Sequence, residues 1–208
     1  MSERMMNLDT AAYLDRLLLM YSNTFNIYKP YRIGAKEYPA YGYFFSHNEK
    51  YVLVREINMW TTDAYEHILF METETFTEET LAEAEGIIRE YMEPVLVRKG
   101  EELPPPNHMY SYLNVVILCA GPVTKEFQKR IRHFKFEKGY QFNIRGFSRG
   151  NILCVSLADR EYYSNYYGRD KKKMFKRIFA DVEQGKPGFD QVMEESGLTP
   201  FKQEDIPV

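Results

Sequence analysis

Residues 113–120, Leu-Asn-Val-Val-Ile-Leu-Cys-Ala, place the strongest single constraint on the fold. Successive side chains of a strand point to opposite faces, so a run apolar at nearly every position has no face to give to water. It belongs in the middle of a sheet. Residues 152–157, Ile-Leu-Cys-Val-Ser-Leu, read as a second buried strand.

The rest of the chain supplies what such strands need. Ala11, Leu14, Leu18 and Tyr21, with Leu17 beside them, recur at helical spacing behind Asn7 or Asp9 as a cap. Between Phe25 and Met71 the pattern becomes Tyr-, Phe- and Val-rich, with strands expected near 27–33, 40–47, 51–59 and 65–72. Turns at 47–50 and 61–63 would make this an antiparallel meander. Thr77 followed by Glu78 and Glu79 opens a helix, because acidic groups suit the positive end of the helix dipole. Its buried stripe reads Leu81, Ala84, Ile88, Tyr91 or Met92, and Val95. Pro104-Pro105-Pro106 then forms a stiff connection. Pro122 sits well for the first turn of a helix burying Val123, Phe127, Ile131 and Phe134. Residues 136–144 alternate, which points Tyr140, Phe142 and Ile144 inward; residues 161–164 extend a further hairpin. A last helix from near Gly168 buries Met174, Phe175, Ile178, Phe179 and Val182. This order predicts an α+β fold: one domain over residues 1–184, a mixed, mostly antiparallel sheet with helices packed against it, and a polar, loop-like tail over 185–208.

The chain begins Met-Ser-Glu-Arg, with charge where a signal peptide needs an apolar core, and its longest apolar runs fall far short of the ~20 residues that span a bilayer. A soluble, cytoplasmic protein without a membrane partner is expected. Cys119 and Cys154 sit inside apolar runs and read as core residues in a reducing compartment. Tyrosine is abundant, 17 residues against a single Trp, which suggests a half-wetted core edge or a binding surface.

Net charge is −3, but residues 125–177 hold 15 Lys and Arg against 5 Asp and Glu. Such a split marks either an anion-binding face or one part of the fold pairing electrostatically with the other. Arg145 and Arg149 flank a glycine-containing segment, while Arg169, Lys171 and Lys172 crowd the start of the last helix. Phe147, Tyr162, Tyr163, Tyr166 and Tyr167 interleave with them. Cations for phosphates beside aromatic faces is the arrangement that single-stranded nucleic acid uses, so these five cations are candidates for nucleic acid or another polyanion.

Other chemistry finds less support. Gly146-Phe147-Ser148-Arg149-Gly150 has the spacing of a serine-hydrolase elbow, yet a strand follows instead of a helix, and all four His precede Ser148. The glycines fit a hairpin turn better. No phosphate loop, dinucleotide fingerprint or zinc spacing occurs, so neither a cofactor nor a metal is expected. His47 and His67 could face each other across the meander. Asp63, Glu66, Glu72 and Glu74 fall in or beside one hairpin and could serve a metal-dependent phosphodiesterase or nuclease. Against this, the chain has no Glu-x-Lys, and its Asp-x-Lys is Asp170-Lys171-Lys172 at a helix start. His108, Tyr110 and Tyr112 enter the central strand and could rim a pocket.

Residues 107–112 (Asn-His-Met-Tyr-Ser-Tyr), together with Glu49-Lys50-Tyr51-Val52-Leu53 and Gly168-Arg169-Asp170, resemble an uncharacterised domain family of bacteria and archaea, of unknown function. The resemblance extends from about Tyr38 to Phe179 and implies a single domain, with no activity or catalytic residue attached. The function expected is therefore a non-enzymatic binding module using the basic C-terminal face, with the phosphodiesterase as the alternative and a homo-oligomer left open.

Overall fold

The computed structural model describes residues 8–50 and 60–206. Along the chain, α1 (Thr10–Ser22) leads to β1 (Asn26–Tyr28), a short hairpin of β2 (Tyr31–Ile33) and β3 (Lys36–Tyr38), and the long strands β4 (Ala40–Lys50) and β5 (Trp60–Thr73). Helix α2 (Glu78–Gly86) continues directly into a π-helical segment (Ile87–Val97) and then β6 (His108–Cys119). The remainder is α3 (Lys125–His133), β7 (Phe136–Gly139), β8 (Phe147–Ser156), β9 (Glu161–Ser164), a 3₁₀ turn (Tyr166–Lys171), α4 (Lys172–Glu183) and α5 (Phe189–Glu195).

Strand β6 lies mid-sheet, as its composition requires, parallel to β5 on one side and β8 on the other. Antiparallel strands extend the sheet at both edges: β4 and then β1 beyond β5, and β7 and β9 along successive halves of β8. The fold is thus one α+β domain with a mixed, mostly antiparallel sheet. Helix α2, its π-helical continuation and α3 cover one face, against Leu69, Leu113, Val115, Ile117 and Ile152. Helices α1, α4 and α5 cover the other, against Ile68, Phe70, Val116, Leu118 and Leu153. With cover on both faces, the apolar runs of β6 and β8 lose all contact with water, at about 25 cal/mol per Å² of apolar surface removed. Cys119 and Cys154 are free thiols inside this core.

Several local expectations change. The expected strand at 27–33 is two strands, because Lys29-Pro30 interrupts it and proline cannot donate to a ladder. The turns expected at 47–50 and 61–63 are strand: β4 and β5 pair from Ala40–Phe70 out to Lys50–Trp60. The strand expected at 51–59 lies outside the described residues. Residues 136–144 form only the short β7 before Gln141, Phe142 and Asn143 take positive φ of 47°, 53° and 67°. That left-handed turn keeps Tyr140 inward but turns Phe142 and Ile144 out to solvent. It closes at Gly146 (φ 74°), where a Cβ would lie 2.0 Å from the Met109 carbonyl oxygen. The hairpin expected of Gly146–Gly150 therefore ends at Gly146; Ser148 and Gly150 lie within β8. The loop-like tail contains α5, whose Phe189 is buried against α1 and α4, and Phe201, whose backbone N–H donates to the Ile27 carbonyl.

Candidate functional site

Antiparallel pairing puts directly opposed residues on one face. Register places Tyr43 opposite His67 and Phe45 opposite Tyr65, with Tyr41 next along β4 on the same side. These five side chains floor a cavity of about 420 Å³. Tyr31 from β2, Tyr91 and Val95–Val97 from the π-helical segment, Pro105 from the proline loop, and Gln203 and Ile206 from the C-terminal segment enclose it, with Lys99 also lining it. The volume is within the range of small-molecule sites, roughly 300–1,000 Å³.

The walls are rings in contact. Tyr31 stacks on Tyr41 with centroids 4.3 Å apart, and His67 lies 5.5 Å from Tyr43 and nearly parallel to Tyr65 at 6.5 Å. Their polar atoms are mostly consumed in pairs: Tyr31 Oη to Tyr91 Oη at 2.6 Å, and Tyr41 Oη to His67 Nδ1 at 2.6 Å. One atom is left over. His67 Nε2 is buried and has no hydrogen-bond partner. Whichever way the Tyr41–His67 bond is polarised, that nitrogen keeps one unsatisfied donor or acceptor.

Burial, with His108 nearby, pushes the His67 pKa down to about 3, so the ring is neutral at physiological pH. Burial likewise raises the Tyr43 hydroxyl to about 12, and those of Tyr31, Tyr41 and Tyr65 further. Apart from Lys99, every group lining the cavity is therefore uncharged near neutrality. The chemistry on offer is dispersion, ring stacking and hydrogen bonding at neutral groups such as the Tyr43 hydroxyl and the Gln203 amide.

Of the site residues singled out from sequence only His67 lines this cavity. A register shift at the start of β6, where Asp63 faces His108 but Ala64 faces Tyr110, breaks the alternation that would have kept 108, 110 and 112 on one face. His108 and Tyr112 project to opposite faces. His108 is a core residue with both nitrogens used: Nδ1–H donates to the Arg145 carbonyl at 2.9 Å, leaving Nε2 to accept from Ser111 Oγ at 2.8 Å. Burial lowers its pKa. Tyr110 and Tyr112 pack together on the other face, and Tyr112 lines a separate charged cleft there. His47 does not meet His67; it bonds Asp63 at 2.6 Å.

The basic candidates divide among three places. Arg149 and Lys171 meet in the charged cleft, Arg169 and Lys172 line a groove of about 440 Å³ beside Glu161, and Arg145 sits by the left-handed turn. Most of the surrounding cations are paired: Arg149 with Glu137, Lys171 with Glu66, Lys172 and Lys176 with Glu161, and Arg160 with Glu183. Part of the charge asymmetry is one region of the fold pairing with another, through Arg130–Glu78, Lys138–Glu93, Arg160–Glu183 and Lys171–Glu66, whereas Glu137 and Glu161 lie inside the basic stretch itself. The four acids do not converge. Asp63 bonds His47 on one face, Glu66 bonds Asn114 and Lys171 on the other, and Glu72 and Glu74 are exposed near the far end of β5. Among the described residues no three His, Cys, Asp or Glu side chains are grouped to hold a metal ion. Ser148 is buried, its hydroxyl 2.8 Å from Tyr140 Oη.

Sequence offered one signal for the cavity, the tyrosine excess at alternate positions 41, 43 and 65. Its other contributors come from segments far apart in the chain. Among the described residues no helix is long and apolar enough to cross a membrane. No curated protein and no solved structure matches the chain. A family model does, over residues 9–177, reaching α1 ahead of the residues that carry the sequence resemblance, and the chain belongs to that family, a domain of unknown function (DUF8052).

Proposed function

We propose that this protein is a binding module for a compact, flat, uncharged molecule, such as a bicyclic heteroaromatic, held in the tyrosine-walled cavity. The observation that carries this reading is the ring-walled cavity itself, floored in part by His67, whose Nε2 is buried and left without a hydrogen-bond partner. An unmatched buried polar group costs about 1–3 kcal/mol, which a ligand hydrogen bond would recover. Neutral lining disfavours phosphates and free carboxylates, since nothing but Lys99 would offset their desolvation. The buried free thiols Cys119 and Cys154 support an intracellular, reducing setting.

Isothermal titration with quinoline and indole, against naphthalene-2-sulfonate as the charged comparator, tests this. The neutral bicycles should bind saturably at one site, and the sulfonate should not. Val95 is 47% exposed at the cavity wall, so Val95→Trp fills the space without disturbing the core and should abolish binding. His67→Phe should weaken it about tenfold, ~1.4 kcal/mol. Absence of saturable binding in the parent, or parental affinity in Val95→Trp, overturns the reading.

A further inference from the structure

The opposite face of the sheet carries a second, chemically different site. Parallel register sets Glu66, Tyr112 and Arg149 side by side on β5, β6 and β8, with Asn114 and Asn151 in the next row. Tyr167, Asp170 and Lys171 of the 3₁₀ turn stand over them, leaving a cleft of about 260 Å³. Asn114 and Asn151 are polar positions in strands that are otherwise apolar at this depth, and both are buried, at 0% and 3% exposed.

Their orientation is fixed by a chain of hydrogen bonds. A carboxylate only accepts, so Asn114 turns Nδ2 to Glu66 Oε1 at 2.9 Å. Asn114 Oδ1 must then accept, and does, from Asn151 Nδ2 at 2.8 Å. That leaves Asn151 Oδ1 as a buried acceptor without a donor. Beside it, Arg149 stacks over the Tyr167 ring at 3.9 Å and gives one terminal nitrogen to Glu137 at 3.0 Å, while its Nε–H is buried without an acceptor. One unpartnered acceptor and one unpartnered donor, both buried, therefore belong to side chains that line the same cleft.

The charges lining it are two cations, Arg149 and Lys171, and two carboxylates, Glu66 and Asp170. A polyanion would meet both carboxylates at close range, and a simple cation both bases. The geometry points to a small zwitterion, a free α-amino acid, as the occupant: its ammonium donates to Asn151 Oδ1 and the acids, and its carboxylate accepts from Arg149 Nε–H. The volume admits a ligand of that size and little more. This site lies across the sheet from the tyrosine-walled cavity and does not depend on it.

Ligand-observed saturation-transfer NMR followed by calorimetric titration, with each of the common L-amino acids and with ethylamine, acetate and inorganic phosphate alone, decides the matter. At least one amino acid should bind saturably at 1:1, with none of the three ions of a single sign matching it. Asp170 is exposed and Asp170→Asn leaves the fold untouched, so it should weaken binding about tenfold, as loss of a charge-assisted hydrogen bond implies. Asn151→Leu should abolish binding, and Val95→Trp should leave it unchanged. The inference fails if no amino acid saturates, if acetate, ethylamine or phosphate binds as tightly, or if Asp170→Asn retains parental affinity. Should Asn151→Leu not fold, Asp170→Asn alone decides.

Discussion

His67 shows how much one position can settle. Its ring is enclosed by Tyr41, Tyr43 and Tyr65, and the charged form is expelled until about pH 3, against 6.5 for a free histidine. The unfolded chain therefore binds a proton through this window that the folded chain refuses, and stability must fall as pH drops from 6.5 towards 3. The slope approaches 1.4 kcal/mol per pH unit once the free histidine is mostly charged. His108 is shifted in the same direction and adds to it. Glu93 and Asp181 have lowered carboxyl pKa values, so their contribution is lost only as pH falls below the usual carboxylate range. Urea unfolding between pH 7 and 5 thus isolates the histidines. His67→Gln, which keeps a hydrogen-bonding group, should flatten the slope visibly; identical slopes in parent and variant would show that His67 is not held neutral. Nothing in the residues around His67 announces this, because its burial comes from Tyr41 and Tyr43 on another strand.

At the scale of elements, local pattern succeeded where local physics decides. Thr77 caps α2 as read, its hydroxyl accepting from the Thr80 N–H. The central strands lie where their apolar runs demand. The helix after Ile87 departs from the reading because it winds as a π-helix, and its wider turn spaces the buried residues Ile88, Met92 and Val97. Ordinary helical spacing points to Val95, which instead is half exposed beside the cavity. Pro94 lies inside this segment and lacks the N–H that regular winding would use. The prediction is a ranking: Val97→Ala should cost about 1–3 kcal/mol through the cavity it leaves, and Val95→Ala within about 0.5 kcal/mol. Chemical denaturation of the two variants checks it, and the reverse order would restore regular helix. A similar override occurs after Gly139, where alternation that reads as a strand becomes a left-handed turn at 141–143.

Over the whole molecule, what sequence could not show is assembly. The tyrosine-walled cavity draws on residues from Tyr31 to Ile206, and the charged cleft on three strands and a distant turn, so no local motif encodes either. The segment after Gly185 is the sharpest instance. Its polar composition suggests a solvated tail, yet it clasps the molecule at both ends. Phe189 is 1% exposed in the core beneath α1, Lys29 pairs with Asp190 at 2.6 Å, and the Asp190 N–H donates to Asp15 at 2.8 Å. Farther on, Gln203 bridges both backbone groups of Arg32, and Ile206 closes the cavity wall. Most of the binding energy should reside in Phe189, since the ion pair with Asp190 is solvent-exposed and worth little. Truncation after Gly185 should therefore destabilise the domain by about 3–5 kcal/mol, lowering Tm by on the order of 10 °C. Phe189→Ala alone should reproduce most of that loss. The two should separate on ligand: the point variant keeps Gln203 and Ile206 and should bind quinoline as the parent does, whereas the truncated chain, with the wall gone, should not. A truncated chain with parental Tm would mean that residues 186–206 lie on the domain without holding it together.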